Sequence, residues 1–329
     1  MTNTRRSRLL TGFKWTGLGL GVFLLVFIFG WVPYWIVGIF TTRKFQFPDK
    51  ENAGLTPASF QLAYEDVTFQ AKDGTALKGW WVPADDARGT AVLVHGLNRS
   101  RLEMVRKAPF LHEQGWNALL FDLRFHGESG GSMRSLGYHE REDVHAAVDV
   151  ARAHGEGPVV LWGISFGGAT AVFAAAEDPS VAGVVCDSSF RSLRDTTRHH
   201  LALFRRFRWW LRLVPEWPVS DETLFWFERR TGVDPDDLDV EKAAVRLRPR
   251  PVLFVANSGD RRMPQEIAFD LQKAAGERAS VLVIPGESHG GAWREGEAPY
   301  SEAVKKLLEA ARAEPGSGLQ RMATRHAGP

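Results

Sequence analysis

Val-Val-Leu-Trp-Gly-Ile-Ser-Phe-Gly-Gly, residues 159–168, decides how the rest of the chain is read. Its first four residues form the apolar run of a buried strand. The chain then turns through Gly163-Ile164-Ser165-Phe166-Gly167 into small residues with helical spacing, 169–176. Strand, G-x-S-x-G, helix is the context that lifts a serine to the tip of a strained turn. The spacing is steric, because strand and helix backbones meet two residues before and two after the serine, where only glycine leaves room. Gly168 lets the helix sit close against the sheet. Ser165 then stands at a helix N-terminus, where main-chain N–H groups and the helix dipole favour developing negative charge. Among 32 glycines a five-residue coincidence is ordinary, so the other motifs must support this reading.

The chain has 329 residues, enough for one large domain or two medium ones. A formal net charge of +2 gives no ground for a nucleic-acid partner. The single cysteine, Cys186, sits in an apolar run and reads as a small buried hydrophobe rather than a nucleophile. Aromatic residues crowd the first 40 positions and the interval 204–226, which points to a membrane.

Residues 1–14 are basic, with Arg5, Arg6, Arg8 and Lys14 and no acid. Residues 15–40 carry no charge, enough for the roughly 20 residues that a spanning helix needs. Trp31, Tyr34 and Trp35 near its end fit an interfacial belt. The run is too long for a signal peptide and has no small-x-small cleavage site after it, so an uncleaved anchor is expected. Basic residues before it outweigh Arg43, Lys44 and Lys50 after it, which predicts a cytoplasmic N-terminus and a catalytic domain outside the cytoplasm. Residues 41–60 read as a tether.

Two strand-like pieces, 64–70 and 77–82, flank an Asp73-Gly74 turn. Strands are expected at 90–94, 118–121, 181–186, 251–256 and 281–284, alternating with helical stretches such as 140–153 and 299–313. This rhythm predicts an α/β fold with a mostly parallel sheet and helices on both faces. Its core spans 61–189 and 251–313. The mostly helical interval 190–250 interrupts it as a cap insertion, and 314–329 reads as a frayed tail.

A serine hydroxyl is a weak nucleophile that needs a base, and the base needs an orienting acid. Asp260 follows the strand 251–256, and His289 follows the strand 281–284. Alone, the aspartate reads as an N-cap and the histidine as a surface residue. Together they stand in the order nucleophile, acid, base, each just beyond the carboxyl end of a strand.

The chain resembles the α/β-hydrolase-fold serine hydrolases over residues 64–313. Four motifs carry the likeness: His95-Gly96-Leu97-Asn98, the run 122–129, Gly163 to Gly167, and the Asp260/His289 pair. The resemblance implies Ser165 as nucleophile, His289 as base and Asp260 as the acid that orients it. It implies an oxyanion hole made by the main-chain N–H groups of Phe166 and Leu97. It also brings departures, since relatives often carry glycine where Phe125 and Asn257 stand. Asp187, at the end of the strand after the elbow helix, is the alternative acid.

No cofactor is implied: Gly130-Gly131 lacks the Lys-Ser/Thr of a P-loop, and His199-His200, His139 and His145 lack a zinc pattern. In 201–214, Leu203, Phe207, Trp210 and Val214 share one helical stripe, widened by Phe204 and Leu211, with Arg205, Arg208 and Arg212 on another. Such a helix can cover the cleft, lie on a bilayer, or both. Phe204, Phe207 and Trp210 are the candidates for contact with a lipid-like acyl substrate. The expected molecule is a membrane-anchored serine ester hydrolase. A peptidase or amidase of the same fold is the nearest alternative, and a non-catalytic scaffold the more distant one.

Overall fold

The computed structural model describes residues 3–44, 49–207, 212 and 216–313, with side chains from Trp15 on, Phe207 excepted. An eight-stranded sheet runs through the domain. Its strands are β1 (Glu65–Gln70), β2 (Ala76–Val82), β3 (Thr90–Val94), β4 (Asn117–Phe121), β5 (Val159–Ile164), β6 (Val181–Asp187), β7 (Val252–Asn257) and β8 (Ala279–Ile284). The order is β1-β2-β4-β3-β5-β6-β7-β8. β2 is antiparallel to both its neighbours, and every pairing from β4 through β8 is parallel. The Asp-Gly hairpin therefore forms the edge, and the alternating strands form the parallel body.

The chain builds outward from β3 in both directions, so a crevice opens between the carboxyl ends of β3 and β5. Those two ends carry His95-Gly96-Leu97 and Ser165. Alternation along β5 divides the core between the faces. Val159 and Leu161 face one apolar cluster, while Val160, Trp162 and Ile164 face the other.

Eleven helices are described: α1 (Asn3–Val26), α2 (Val32–Thr41), α3 (Ala108–Glu113), α4 (Glu140–His154), α5 (Phe166–Glu177), α6 (Leu193–Phe207), α7 (Glu216–Thr231), α8 (Val240–Val245), α9 (Glu266–Ala275), α10 (Ala292–Glu295) and α11 (Glu297–Arg312). Val144, Ala147, Val148 and Ala151 turn α4 toward the first cluster. Val304, Leu307, Leu308 and Ala311 turn α11 toward the second. Within the 190–250 insertion, Leu193 of α6 and Leu224 and Phe227 of α7 also reach the first cluster. α8 buries Val240, Ala243 and Ala244 in the same cluster, which α5 shares.

Among the described residues, one helical element, Trp15–Thr41, is long and apolar enough to cross a membrane. A π-turn, Phe27–Trp31, joins α1 to α2 ahead of Pro33. Proline has no N–H to give the preceding turn, and the widened turn absorbs that loss. Phe23, Phe27, Trp31 and Trp35 stack along one side with ring spacings of 6.2, 5.1 and 6.2 Å.

The end of this helix is docked on the domain. Val37 belongs to the first core cluster, and Tyr34 meets Trp226 of α7 edge-on at 5.2 Å. Arg230 lies 4.3 Å over the Tyr34 ring and donates to Thr42 Oγ1 at 2.9 Å. The segment expected to be a tether is likewise strapped down where it is described. Arg106 Nε donates to Asn52 Oδ1 at 2.7 Å, Arg294 pairs with Glu51 at 2.8 Å, and Leu55 and Phe60 pack on the second cluster. Leu55 and Phe60 supply the apolar contacts that composition had hidden among prolines and glycines. The expected tail, 314–329, lies outside the described residues, as does Trp210.

At the β5–α5 turn, a Cβ on Gly163 would stand 2.2 Å from Gly167 O, and one on Gly167 would stand 2.3 Å from Val94 O. Both obstacles are backbone, so neither can swing aside. Gly167→Ala is therefore expected to lower stability by about 3 kcal/mol or more. At this size that is a drop of roughly 6–12 °C in melting temperature, read by thermal unfolding in detergent.

Candidate active site

Ser165 has φ +54° and ψ −118°, a strained conformation forced by the close backbone crossing on either side. Its main-chain N–H donates to Asp187 O at 2.6 Å, fixing the turn against the end of β6. The side chain stands at the mouth of α5, and Phe166 opens that helix, so its N–H has no acceptor within the helix. Leu97 follows the end of β3 across the crevice.

Loops after β7 and β8 bring the other two groups to the serine. His289 Nε2 is 2.7 Å from Ser165 Oγ, and His289 Nδ1 is 2.7 Å from Asp260 Oδ2. The second oxygen of Asp260 accepts from the main-chain N–H of Arg262 at 2.8 Å and of Met263 at 3.2 Å. Burial pushes the Asp260 carboxyl up, but the His289 hydrogen bond and charge, with these N–H donors, outweigh it and hold the group below its usual range. An ionised Asp260 accepts the Nδ1 proton and so leaves Nε2 as an acceptor for the serine hydroxyl. The three groups thus form one directed chain of hydrogen bonds across loops that lie far apart in sequence.

Asp187 has a different set of partners. Its carboxylate is fully buried, accepting from Ser188 Oγ at 2.8 Å and from the Tyr300 hydroxyl at 3.0 Å. Tyr300 in turn accepts from Trp162 Nε1 at 3.0 Å. Burial raises the Asp187 carboxyl, with Ser188, Lys107 and Tyr300 opposing. Ser188 Oγ also accepts from Gly290 N at 3.3 Å, so Asp187 steadies the loop of His289 without touching the imidazole.

The sequence motifs did not disclose how the loops around Leu97 and Phe166 are held. His95 Nε2 accepts from Leu123 N at 3.1 Å, and its Nδ1 faces Gly96 O at 2.8 Å. His126 Nε2 accepts from Asn98 N at 3.2 Å, and its Nδ1 faces Arg124 O at 2.8 Å. A carbonyl only accepts, so Nδ1 carries the proton in both rings and both are neutral. Their centroids are 5.0 Å apart, and His126 stacks on Phe166 at 5.9 Å. Phe125, where relatives often have glycine, has φ +57°, the left-handed region that glycine enters freely.

His199 Nε2 donates to the Arg261 carbonyl at 2.8 Å, which ties α6 to the Asp260 loop. Burial, then Arg262 and the neighbouring histidines, bring His200 down to about 4. Cys186 is buried, which pushes its thiol up to about 12. Among the described residues no cluster of three His, Cys, Asp or Glu side chains could hold a metal. Phe204 is exposed on α6, while the Phe207 side chain and Trp210 lie outside the described residues.

Comparison with known proteins agrees with this architecture. Residues 91–243 match the family model described as the alpha/beta hydrolase fold. The protein YfhR of Escherichia coli O157:H7 is 26% identical over 301 residues, 88% of this chain and 94% of its own. The polyketide transferase ATR5 of Stachybotrys chlorohalonatus is 32% identical over 130 residues, 38% of this chain and 44% of its own. Among solved structures, the esterase Pf2001 of Pyrococcus furiosus superposes with a TM-score of 0.63 at 22% identity, covering 78% of this chain and 94% of that one. The chain has the α/β-hydrolase fold, with a mostly parallel sheet flanked by helices.

The neutral histidine pair makes stability pH-dependent. Burial holds both rings below the usual value of 6.5, against the Asp122 charge at His95 and with the help of the neighbouring His95 at His126. The unfolded chain then binds more protons than the folded one in acid, so this stability is present above pH 6.5 and is lost as pH falls. Each ring contributes a slope of up to about 1.4 kcal/mol per pH unit below that point. The acid limb of a melting-temperature profile is expected to flatten in His126→Gln, whose amide oxygen can still accept from Asn98 N.

Proposed function

We propose that this chain is a serine hydrolase that cleaves an ester of an apolar acyl group while held at a membrane by its N-terminal helix. The observation that carries the reading is the unbroken Ser165–His289–Asp260 relay, with 2.7 Å at each side-chain link. Ser165 Oγ attacks the acyl carbonyl as its proton passes to His289 Nε2. Asp260 stabilises the imidazolium that forms. The carbonyl oxygen, now anionic, receives the N–H groups of Phe166 and Leu97, and each such donor is worth about 10²–10³-fold in rate. The tetrahedral adduct collapses, the C–O bond to the alcohol breaks, and His289 returns its proton to the departing alkoxide. Water then repeats the sequence on the acyl-enzyme, releasing the acid and restoring Ser165.

Three features support an apolar acyl group. A cavity of about 190 Å³ lies between α6 and the Asp260 loop, lined by Ala202, Leu203 and Pro264 with His199, Arg206 and Arg261. Phe204 is 57% exposed on the same helix. α7 packs along α2, which sets the cap beside the apolar helix. With Arg5, Arg6, Arg8 and Lys14 on one side of that helix, the N-terminus is assigned to the cytoplasm and the catalytic domain to the other side. The Pyrococcus relative's description as an esterase agrees with ester chemistry.

Covalent labelling by a fluorophosphonate tests the reading. Labelling is expected for the intact protein and absent in Ser165→Ala; folded protein inert in both detergent and liposomes would overturn it. Asp260→Asn is expected to lose about 10³–10⁴-fold in kcat, whereas Asp187→Asn keeps turnover within about tenfold. The reverse result would move the acid to Asp187. On a series of p-nitrophenyl esters, Leu203→Trp is expected to cut long-chain kcat/KM by about tenfold or more and leave acetate unchanged. Cleavage of short peptides with inert esters would favour a peptidase.

A further inference from the structure

Arg134 lies outside the relay and is fully buried, with relative exposure of 0%. Its guanidinium reaches two places at once. Nη1 donates to Asn98 Oδ1, in the loop whose preceding residue is Leu97. Nη2 donates to Arg43 O, and to Ile39 O at 3.3 Å, at the carboxyl end of α2. The main-chain N–H of Arg134 adds a bond to Thr41 O at 2.8 Å. The last carbonyls of a helix lack intrahelical donors and form the negative end of its dipole, so a cation there is doubly favoured.

The contact is costly to break. The Nε of Arg134 has no hydrogen-bond partner among the described residues, so the charge is compensated by these acceptors, by the Phe125 ring 5.6 Å away, and at longer range by Glu140. Glu140 is not free to turn to it, since its oxygens accept from Ser135 N, Ser135 Oγ and Gly137 N at 2.8–2.9 Å. Asn98 is equally committed. It has φ +60°, donates its N–H to His126 and accepts from Arg134 at Oδ1. Freed of Arg134, the Asn98 side chain would lose the bond that fixes the loop from the α2 side.

We infer that Arg134 is a positioning residue which couples the docking of α2 to the oxyanion-hole loop through Asn98. The N-terminal helix is then part of the catalytic apparatus, and the Leu97 N–H is aimed only while that helix is seated. This rests on the serine-hydrolase reading above.

The test uses the full-length chain in detergent, with active sites counted by fluorophosphonate so that kcat is per competent molecule. Arg134→Ala and Asn98→Gly each remove one end of the link, and glycine keeps the positive φ. Each is expected to lower kcat about 10–100-fold with KM little changed, and to weaken a boronic-acid inhibitor in parallel. The double variant is expected to fall no further than the worse single one. Arg134→Lys, which keeps one donor and the charge, is expected to recover part of the loss. Lys306→Ala, which removes an exposed ion pair on α11 and touches neither α2 nor the loop, serves as the control at wild-type kcat. If Arg134→Ala fails to fold, Asn98→Gly and Arg134→Lys still decide. A fall in melting temperature or in the count of sites, with kcat per site within twofold of wild type, would show a merely structural residue and overturn the inference. A wild-type protein that neither labels nor turns over esters removes the underlying reading and this inference with it.

Discussion

The crossing of three backbones at Gly163, Gly167 and the end of β3 is the constraint on which the rest depends. Strand, helix and neighbouring strand approach so closely there that no side chain fits at either glycine. The residue between them must take a positive φ, and Ser165 is the one placed so. Strain at one residue is tolerable because the surrounding sheet is buried on both faces and over-determines the turn. The same closeness brings the N-terminus of α5 against the loop that carries Leu97. Ser165 and the main-chain N–H groups beside it are therefore placed by one packing event.

Around that crossing the polar groups are arranged by charge state. Asp260 is kept ionised by three donors, and this fixes the imidazole tautomer that faces the serine. His95 and His126 are kept neutral by burial, and each spends both nitrogens on main-chain groups of the flanking loops. Asp187 is also fully buried and is bound to Tyr300 and Ser188. Buried acids and histidines on neighbouring loops thus divide into one directed relay and several braces, according to which donors reach them.

The N-terminal helix and the cap belong to this arrangement. A simple anchor would leave the end of its helix in solvent. Here that end is covered by Tyr34–Trp226 packing, by Arg230, and by a buried guanidinium that also holds Asn98. The residues after it are strapped across the domain through Asn52 and Glu51. The apolar helix, the 190–250 insertion and the loop of Asn98 are therefore joined by direct contacts.

Much of this was legible in the sequence, for local reasons. Apolar runs, the Asp-Gly turn and the alternation of strand with helix need only neighbouring residues to be read. The G-x-S-x-G turn is likewise a local steric statement, and the chain order of Ser165, Asp260 and His289 follows from the strand order. Motif context favours Asp260 over Asp187 without excluding the latter, since each follows a strand. Their difference lies in partners 29 and 113 residues away, His289 and Tyr300. The embrace of α2 by Arg134 was equally hidden, because a lone arginine in a loop carries no periodic or motif signal and its partners lie 36 to 95 residues distant. The sequence by itself determined which elements form and which turn exposes a serine, because those depend on local sterics and on the period of apolar residues. Only the tertiary structure decided which buried charge faces the imidazole and which helix end braces the loop. A buried ionic group is satisfied by whatever the fold brings within about 3 Å, and that neighbourhood is set by the packing of the whole chain.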